Sequence, residues 1–451
     1  MSRELKDSGV EWIGKIPANW SIEKIKYTTY VKGRIGWQGL KSDEFTDEGP
    51  YLVTGKDFIG KNVNWESCHH ISSERYHEAQ PIQLKENDLL ITKDGTIGKT
   101  AIVRDMPDKA ILNSGIFVTR SAKYEVDFMY WMLNSQVFDK YIKFFETGST
   151  IKHLYQETFE NFSYPLPTRI EQKRINLFLN RKIKLVDEVI KNKGNMMTLL
   201  EKQRQSIITE AVTKGLNPNV KMKDSGIEWI GEIPEHWSTL ALKHIASEKK
   251  HSFVDGPFGS DLKNEEYVDS GVPVIQLNNI KNGDLRVINM NFVTKEKSEQ
   301  LKRHIAYPGD LVIAKMASPI ARSAVVPKTY ENYVIVADCI KLKLKENYLN
   351  HYINFAMNTP FTIAQAESFA NGTTRSRVNL SIIKNLKLPI PSFEEQKEIA
   401  SYLTLKVSEV NNVIKAVENQ IQKLKEYRQA LIYEAVTGKI DVRDMELDEV
   451  R

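Results

Sequence analysis

The sequence predicts an α+β chain in which two β-rich α+β domains are separated by two long antiparallel helices, paired as a coiled coil, in a pseudo-two-fold tandem repeat. Three observations predict it. "KDSGVEWIGKIPANW" at 6–20 returns as "KDSGIEWIGEIPEHW" at 223–237; each copy ends in a long ladder of apolar residues; and between phrase and ladder lie short β-branched runs broken by Gly, Asp and Asn.

The repeat extends well past the phrase. "ENDLLITK" (86–93) resembles "PGDLVIAK" (308–315), "EQK" at Glu171 recurs at Glu395, and "EAVT" at Glu210 recurs at Glu434. The last two pairs keep one spacing while earlier pairs lie closer, so small insertions separate the copies only before the 165 region. A repeat this long is a domain plus a connector rather than one brick of a solenoid. Two such copies facing each other suit a ligand that is itself two-sided, as duplex DNA is.

Bulk properties agree. A chain of 451 residues exceeds what one hydrophobic core organises. A net charge of +5 with 27% charged residues permits an anionic partner without demanding one. Cys68 and Cys339 are too few for a disulfide framework, as expected in a reducing cytoplasm. The N-terminus has no apolar signal core and no run approaches the ~18 apolar residues of a membrane span, so no membrane partner is expected.

Taken in order, the expected domain boundaries are 1–166, a first helix at 167–215, a second domain at 216–390, a second helix at 391–441 and a tail at 442–451. In the phrase, Trp12, Ile13, Ile16, Pro17 and Trp20, repeated as Trp229, Ile230, Ile233, Pro234 and Trp237, form an apolar plug ahead of each domain. "PYLVTGKDFIG", "KENDLLITKDGTIGKTAIV" and "AILNSGIFVTR" in the first copy read as strands with turns, as do "VPVIQLNNIKNGDLRVI", "GDLVIAKMA" and "YVIVADCIKLKL" in the second. The loops differ: "KGRIGWQGLKS" stands against "HSFVDGPFGSDLK", and "DGTIGKT" against "MASPIAR". Equal scaffolds with unequal loops fit a protein that reads two different short sequences with one architecture.

The helices are legible by counting. Leu179, Ile183, Val186, Ile190, Lys193, Met197, Leu200, Arg204, Ile207 and Ala211 follow alternating steps of four and three. Leu403, Val407, Val410, Ile414, Val417, Ile421, Leu424, Arg428, Leu431 and Ala435 repeat them. A 3.5-residue period is a coiled-coil seam. Thr168 with Glu171, and Ser392 with Glu395, are capping boxes; Pro167 and Pro391 precede them, and Gly215 and Gly438 mark the ends. From Thr168 to Val212 the helix spans roughly 67 Å at about 1.5 Å per residue. Two matched helices in one chain favour an internal antiparallel pair over simple dimerisation. Arg204 and Arg428 either mark where the pair opens to another subunit or snorkel to solvent.

Two motifs point elsewhere and fail on spacing. "KDGTIGKT" ends like a phosphate-cradling loop, but Lys93 stands where that loop needs Gly. "CHH" at 68–70, with His77, lacks the second ligand pair of a zinc site. No adenine methyltransferase motif or nuclease carboxylate cluster is evident, so the chain reads as a non-catalytic reader that directs other subunits.

The doubled "DSGxEWIGxIPxxW", the "GDLVIAK" strand, "YPLPTRIEQKRI" with "LPIPSFEEQKEI", and the "EAVT" ends together resemble the specificity (S) subunit of type I restriction-modification systems, over nearly the whole chain. The resemblance implies two target recognition domains, each reading one half-site of a bipartite asymmetric DNA target across a fixed gap, on a conserved helical spacer. It implies two methyltransferase (M) subunits and two restriction (R) subunits as partners. It places S-adenosylmethionine, ATP and Mg on those partners and no cofactor on this chain. Two other readings stay open: an S subunit serving a fused methyltransferase-nuclease, and a coiled-coil scaffold without sequence recognition.

Base-reading residues vary in that family, so candidates rest on chemistry. They are Arg34, Gln38, Lys93, Lys99, Lys152 and His153 in the first domain, and Lys263, Lys315, Arg322, Arg375 and Arg377 in the second. Arg and Gln offer paired hydrogen bonds to guanine and adenine edges, and Lys positions phosphates.

Overall fold

The structure is a computed structural model that describes residues 3–34, 40, 42–146, 153–281, 283–370 and 377–444. By contacts the chain divides into two units, residues 1–194 with 419–451, and residues 195–418. This division cuts across the sequence repeat, because each unit contains the end of the other copy's helix.

In the first unit, one sheet runs in the order Tyr30–Gly33, Ile116–Arg120, Leu89–Thr92, Thr100–Ile102, Asn62–Val63, Phe58–Ile59. A second, three-stranded sheet is built from Ala110–Leu112, Phe45–Val53 and His69–Ile71. The second unit matches the first four strands one for one: Phe253–Asp255, Cys339–Leu342, Leu311–Ala314, Ser323–Val325. Its other sheet orders Asn291–Val293, Val272–Ile275, Tyr333–Ile335 and Ile305–Ala306.

The runs "LLIT" and "LVIA" are buried at every position because both faces of their strands are covered. Leu89 and Ile91 enter the core that holds the helix Val126–Leu133, while Leu90 enters the core of the three-stranded sheet. Leu311 and Ile313 likewise join the helix Asn350–Met357, and Val312 and Ala314 the opposite core.

The two long helices are Arg169–Lys214 and Phe393–Val436. Every ladder position is buried or half-buried, including Leu179, Ile183, Val186, Ile190, Met197 and Leu200 in the first helix, and Leu403, Val407, Val410, Ile414, Val417, Ile421 and Leu424 in the second. The pairing is antiparallel. In the first unit Asp187 bonds Arg428 Nε at 2.9 Å, while Lys193, further along the first helix, reaches back to Gln420 at 2.6 Å. In the second unit Arg204 donates to Asn411 Oδ1 at 2.7 Å. The two seam arginines therefore make corresponding cross-helix bonds, one to Asp187 and one to its repeat counterpart Asn411. Neither marks an opening of the pair.

Both helices start as their capping boxes predict. Glu171 N donates to Thr168 Oγ1 at 3.3 Å, and Glu395 N to Ser392 Oγ at 3.3 Å. The same glutamates also receive the repeated phrase: Trp20 Nε1 donates to Glu171 Oε2 at 3.1 Å, and Trp237 Nε1 to Glu395 Oε1 at 3.2 Å. Burial works to raise the Glu395 carboxyl, but bonds from His236, Ser392 and Trp237 together hold it below its usual value.

On its other side each phrase clamps the end of the other copy's helix. Ile13, Ile16 and Trp20 pack with Ile432, Ala435 and Val436, and Tyr433 Oη donates to Ile13 O at 3.0 Å. Ile230, Ile233 and Trp237 pack with Ile208, Ala211 and Val212. Gly438 and Gly215, with φ of 73° and 75°, end the helices in the left-handed region. A Cβ on Gly438 would lie 2.5 Å from Pro17, so only glycine lets the helix end meet the phrase this closely. Among the described residues no helix is long and apolar enough to cross a membrane.

Candidate nucleic-acid interface

Four of the sequence candidates, Lys93, His153, Lys315 and Arg377, come together in pairs at one corner of each unit, where neighbouring antiparallel strands have their ends. In the first unit the strand Leu89–Thr92 runs out into Lys93. Its N–H donates to Gly115 O at 2.8 Å, and its carbonyl accepts from Leu154 N at 2.7 Å. Asp94 and His153 form a short antiparallel bridge, with His153 Nδ1 on Asp94 Oδ1. The Lys93 ammonium stands 5.1 Å over the Phe117 ring.

The second unit builds the same corner from other side chains. Lys315 N donates to Asp338 O at 2.9 Å, and Val378 N donates to Lys315 O at 2.9 Å. Met316 and Arg377 form the matching bridge. Arg377, which is exposed, donates to Asp338 Oδ1 at 3.0 Å, and Lys315, which is itself buried, donates from Nζ to Asp255 Oδ2 at 3.2 Å. Lys93 with His153, and Lys315 with Arg377, are thus brought together by equivalent main-chain contacts.

Each of these corners also carries carboxylates that sequence reasoning missed: Asp94, Asp255 and Asp338. Asp94 follows Lys93 directly, whereas Asp255 and Asp338 border strands with no candidate cation beside them in sequence, and only the fold pairs them with Lys315 and Arg377. Alone, a carboxylate repels phosphate, yet it accepts from the cytosine amino group, so a cation–carboxylate pair can exchange its internal bond for base contacts of both kinds. His304, whose Nδ1 lies 2.6 Å from Asp255 O, completes the second corner; burial lowers its pKa from the ordinary value.

Lys99 and Lys263 lie on exposed loops. Lys99 Nζ donates to Gly55 O at 3.0 Å and stands 5.7 Å over Phe58. Lys263 is exposed and opens the short turn Asn264–Glu266. Gln38, Lys152 and Arg375 lie outside the described residues.

Two candidates are corrected. Arg34 is buried, its Nε donating to Leu112 O at 3.1 Å, and burial lowers its pKa. Arg322 is 7% exposed and donates to five carbonyl oxygens, those of Leu277, Ile280, Met316, Ala317 and Pro319. Its guanidinium is the centre around which "MASPIAR" folds, so it is not presented to a base edge. Replacing Arg322 with Met is expected to strand those carbonyls and destabilise the second unit by about 3 kcal/mol, seen as a lowered thermal transition. Arg377→Ala, at an exposed ion pair, is expected to leave melting near wild type. An Arg322→Met protein that melts like the wild type would refute the structural role.

The rejected motifs also have structural explanations. Gly98-Lys99-Thr100 leads into the strand Thr100–Ile102, whereas a phosphate-cradling loop opens a helix. Burial, first of all, pushes the Cys68 thiol up to about 12; His69 stacks on Phe45 at 4.6 Å, and His70 Nδ1 lies 2.7 Å from Gly49 O.

Comparison with known proteins gives this architecture a family. The model of the type I restriction modification DNA specificity domain matches residues 38–196 and again 257–423. The specificity subunit of the type I restriction enzyme MjaVIII from Methanocaldococcus jannaschii is 22% identical over 437 residues, covering 96% of this chain and 95% of its own length. That of EcoBI from Escherichia coli is 23% identical over 456 residues, covering 97% and 90%. A solved chain, from work on complex assembly and conformational transition of the type I R-M system, shares the fold with a TM-score of 0.68 at 16% identity, over 94% of this chain and 99% of its own. With both of its strand-end corners inside matched segments or beside them, the chain belongs to the type I restriction modification DNA specificity family, as a specificity subunit that carries the domain twice.

Proposed function

We propose that this specificity subunit reads a bipartite, asymmetric duplex target, one half-site per domain, and assembles two methyltransferase and two restriction subunits on it. Adenine methylation with S-adenosylmethionine, and cleavage with ATP and Mg, belong to those partners, and this chain contributes recognition without catalysis. The cytoplasm is the compartment where such a complex meets its DNA.

One observation carries this proposal: the same strand-end corner is built twice by the same main-chain contacts but armed differently, with Lys93, Asp94 and His153 in one unit and Lys315, Asp338 and Arg377 in the other. Shared scaffolding with different donors and acceptors supports two readers of different half-sites. A scaffold without sequence recognition has no use for that difference.

The test is an exchange of residues 22–165 for the first domain of another specificity subunit, followed by mapping of methylated adenines in a host that carries the methyltransferase partner. One half-site is expected to change and the other to persist. A change in both, or in neither, would end the modular account. At matched salt, a purified complex should also prefer its mapped duplex over random sequence.

A further inference from the structure

We infer that Phe258 is an apolar wedge that enters the base stack of the second half-site, an inference that rests on the DNA-reading function above. Phe258 is 80% exposed, the most exposed of the large apolar side chains among the described residues. Its mount is rigid. The strand Phe253–Asp255 ends at Gly256, whose N–H donates to Cys339 O at 2.9 Å. A Cβ on Gly256 would lie 1.9 Å from Val336 O, so the loop backbone rests directly on the 336–339 segment. Pro257 is buried, and Asp261 N donates to Phe258 O at 2.9 Å to close the turn. The chain anchors the residue before the ring, ties the residues after it, and leaves the ring in water.

The location selects the partner. Asp255, immediately before Gly256, holds Lys315, and Asp338, next to Cys339, holds Arg377. The ring is therefore mounted at the corner that carries the cationic candidates, and the loop around it is polar, with Ser260, Asp261 and Lys263 exposed. A protein-docking hot spot is ringed by packed neutral contacts, whereas a lone aromatic among charged groups fits a base step flanked by phosphates. The sequence of the first copy also carries an aromatic, Trp37, between Gly36 and Gly39 after the corresponding strand; it lies outside the described residues.

The test uses the full chain with its methyltransferase partner on the mapped target, with 2-aminopurine placed singly along the second half-site. Wild type is expected to raise fluorescence at one step, reporting unstacking. Phe258→Ala is expected to lose that rise and to bind the target roughly tenfold more weakly, with discrimination at the first half-site unchanged, while Phe258→Trp keeps both properties. A Phe258→Ala complex that binds and unstacks like wild type overturns the wedge, as does one whose only defect is assembly with the methyltransferase. If wild type itself fails to distinguish the target from scrambled duplex, the DNA-reading function falls, and the wedge with it.

Discussion

Trp20→Ala is expected to cost the first unit about 3–5 kcal/mol, a large share of a domain's whole stability. The indole is 1% exposed and sits between the two helix termini of its unit. It bonds the capping glutamate Glu171 at the start of one helix, and a Cβ on Gly438 at the end of the other would lie 2.9 Å from its ring. Removing it opens a cavity and takes a donor from a carboxylate that also holds Arg3 and Thr168. Trp237→Ala should do the same to the second unit, where the indole bonds Glu395 and meets Gly215. Trp→Phe at either position keeps most of the volume and loses the bond to charge, an expected cost of about 1.5–3 kcal/mol. Thermal denaturation with limited proteolysis measures both. If Trp20→Ala melted as wild type, the phrase would not be the joint.

Inserting four residues into the first helix between Thr168 and Val212 is expected to lengthen the unread gap of the target by one or two base pairs, with both half-sites unchanged. Four residues add roughly 6 Å of helix at about 1.5 Å each, against about 3.4 Å per base pair. Methylation mapping reads the gap directly. An unchanged gap in a complex that still methylates would show that helix length is not the ruler.

Much of this is legible in the sequence. The seam was read from steps of four and three, and every position on it is buried or half-buried, because helical periodicity is a local property that burial follows once a partner exists. The capping boxes and the strands are equally local, and the tandem repeat shows on direct comparison of 6–20 with 223–237. Lys93, His153, Lys315 and Arg377 are far apart in sequence, and the fold brings them together in pairs.

Arg34 and Arg322 have the composition of readers, and they are interior because carbonyls far away in the chain, from Leu112 to one and from Leu277 and Ile280 to the other, converge on them. The missed aspartates have the same cause: Asp338 gains meaning only from Arg377, which the chain reaches a whole helical segment later.

By itself, then, the sequence determined the family, the duplication, and the course of strands and helices: the elements follow from residues within a few positions of one another, and the duplication and the family from direct comparison of whole stretches of sequence. Only the tertiary structure decided which helix end each phrase clamps and which cations face outward. Nearly identical phrases have two equivalent partners to choose from, and an arginine is buried or offered according to the acceptors that distant segments supply.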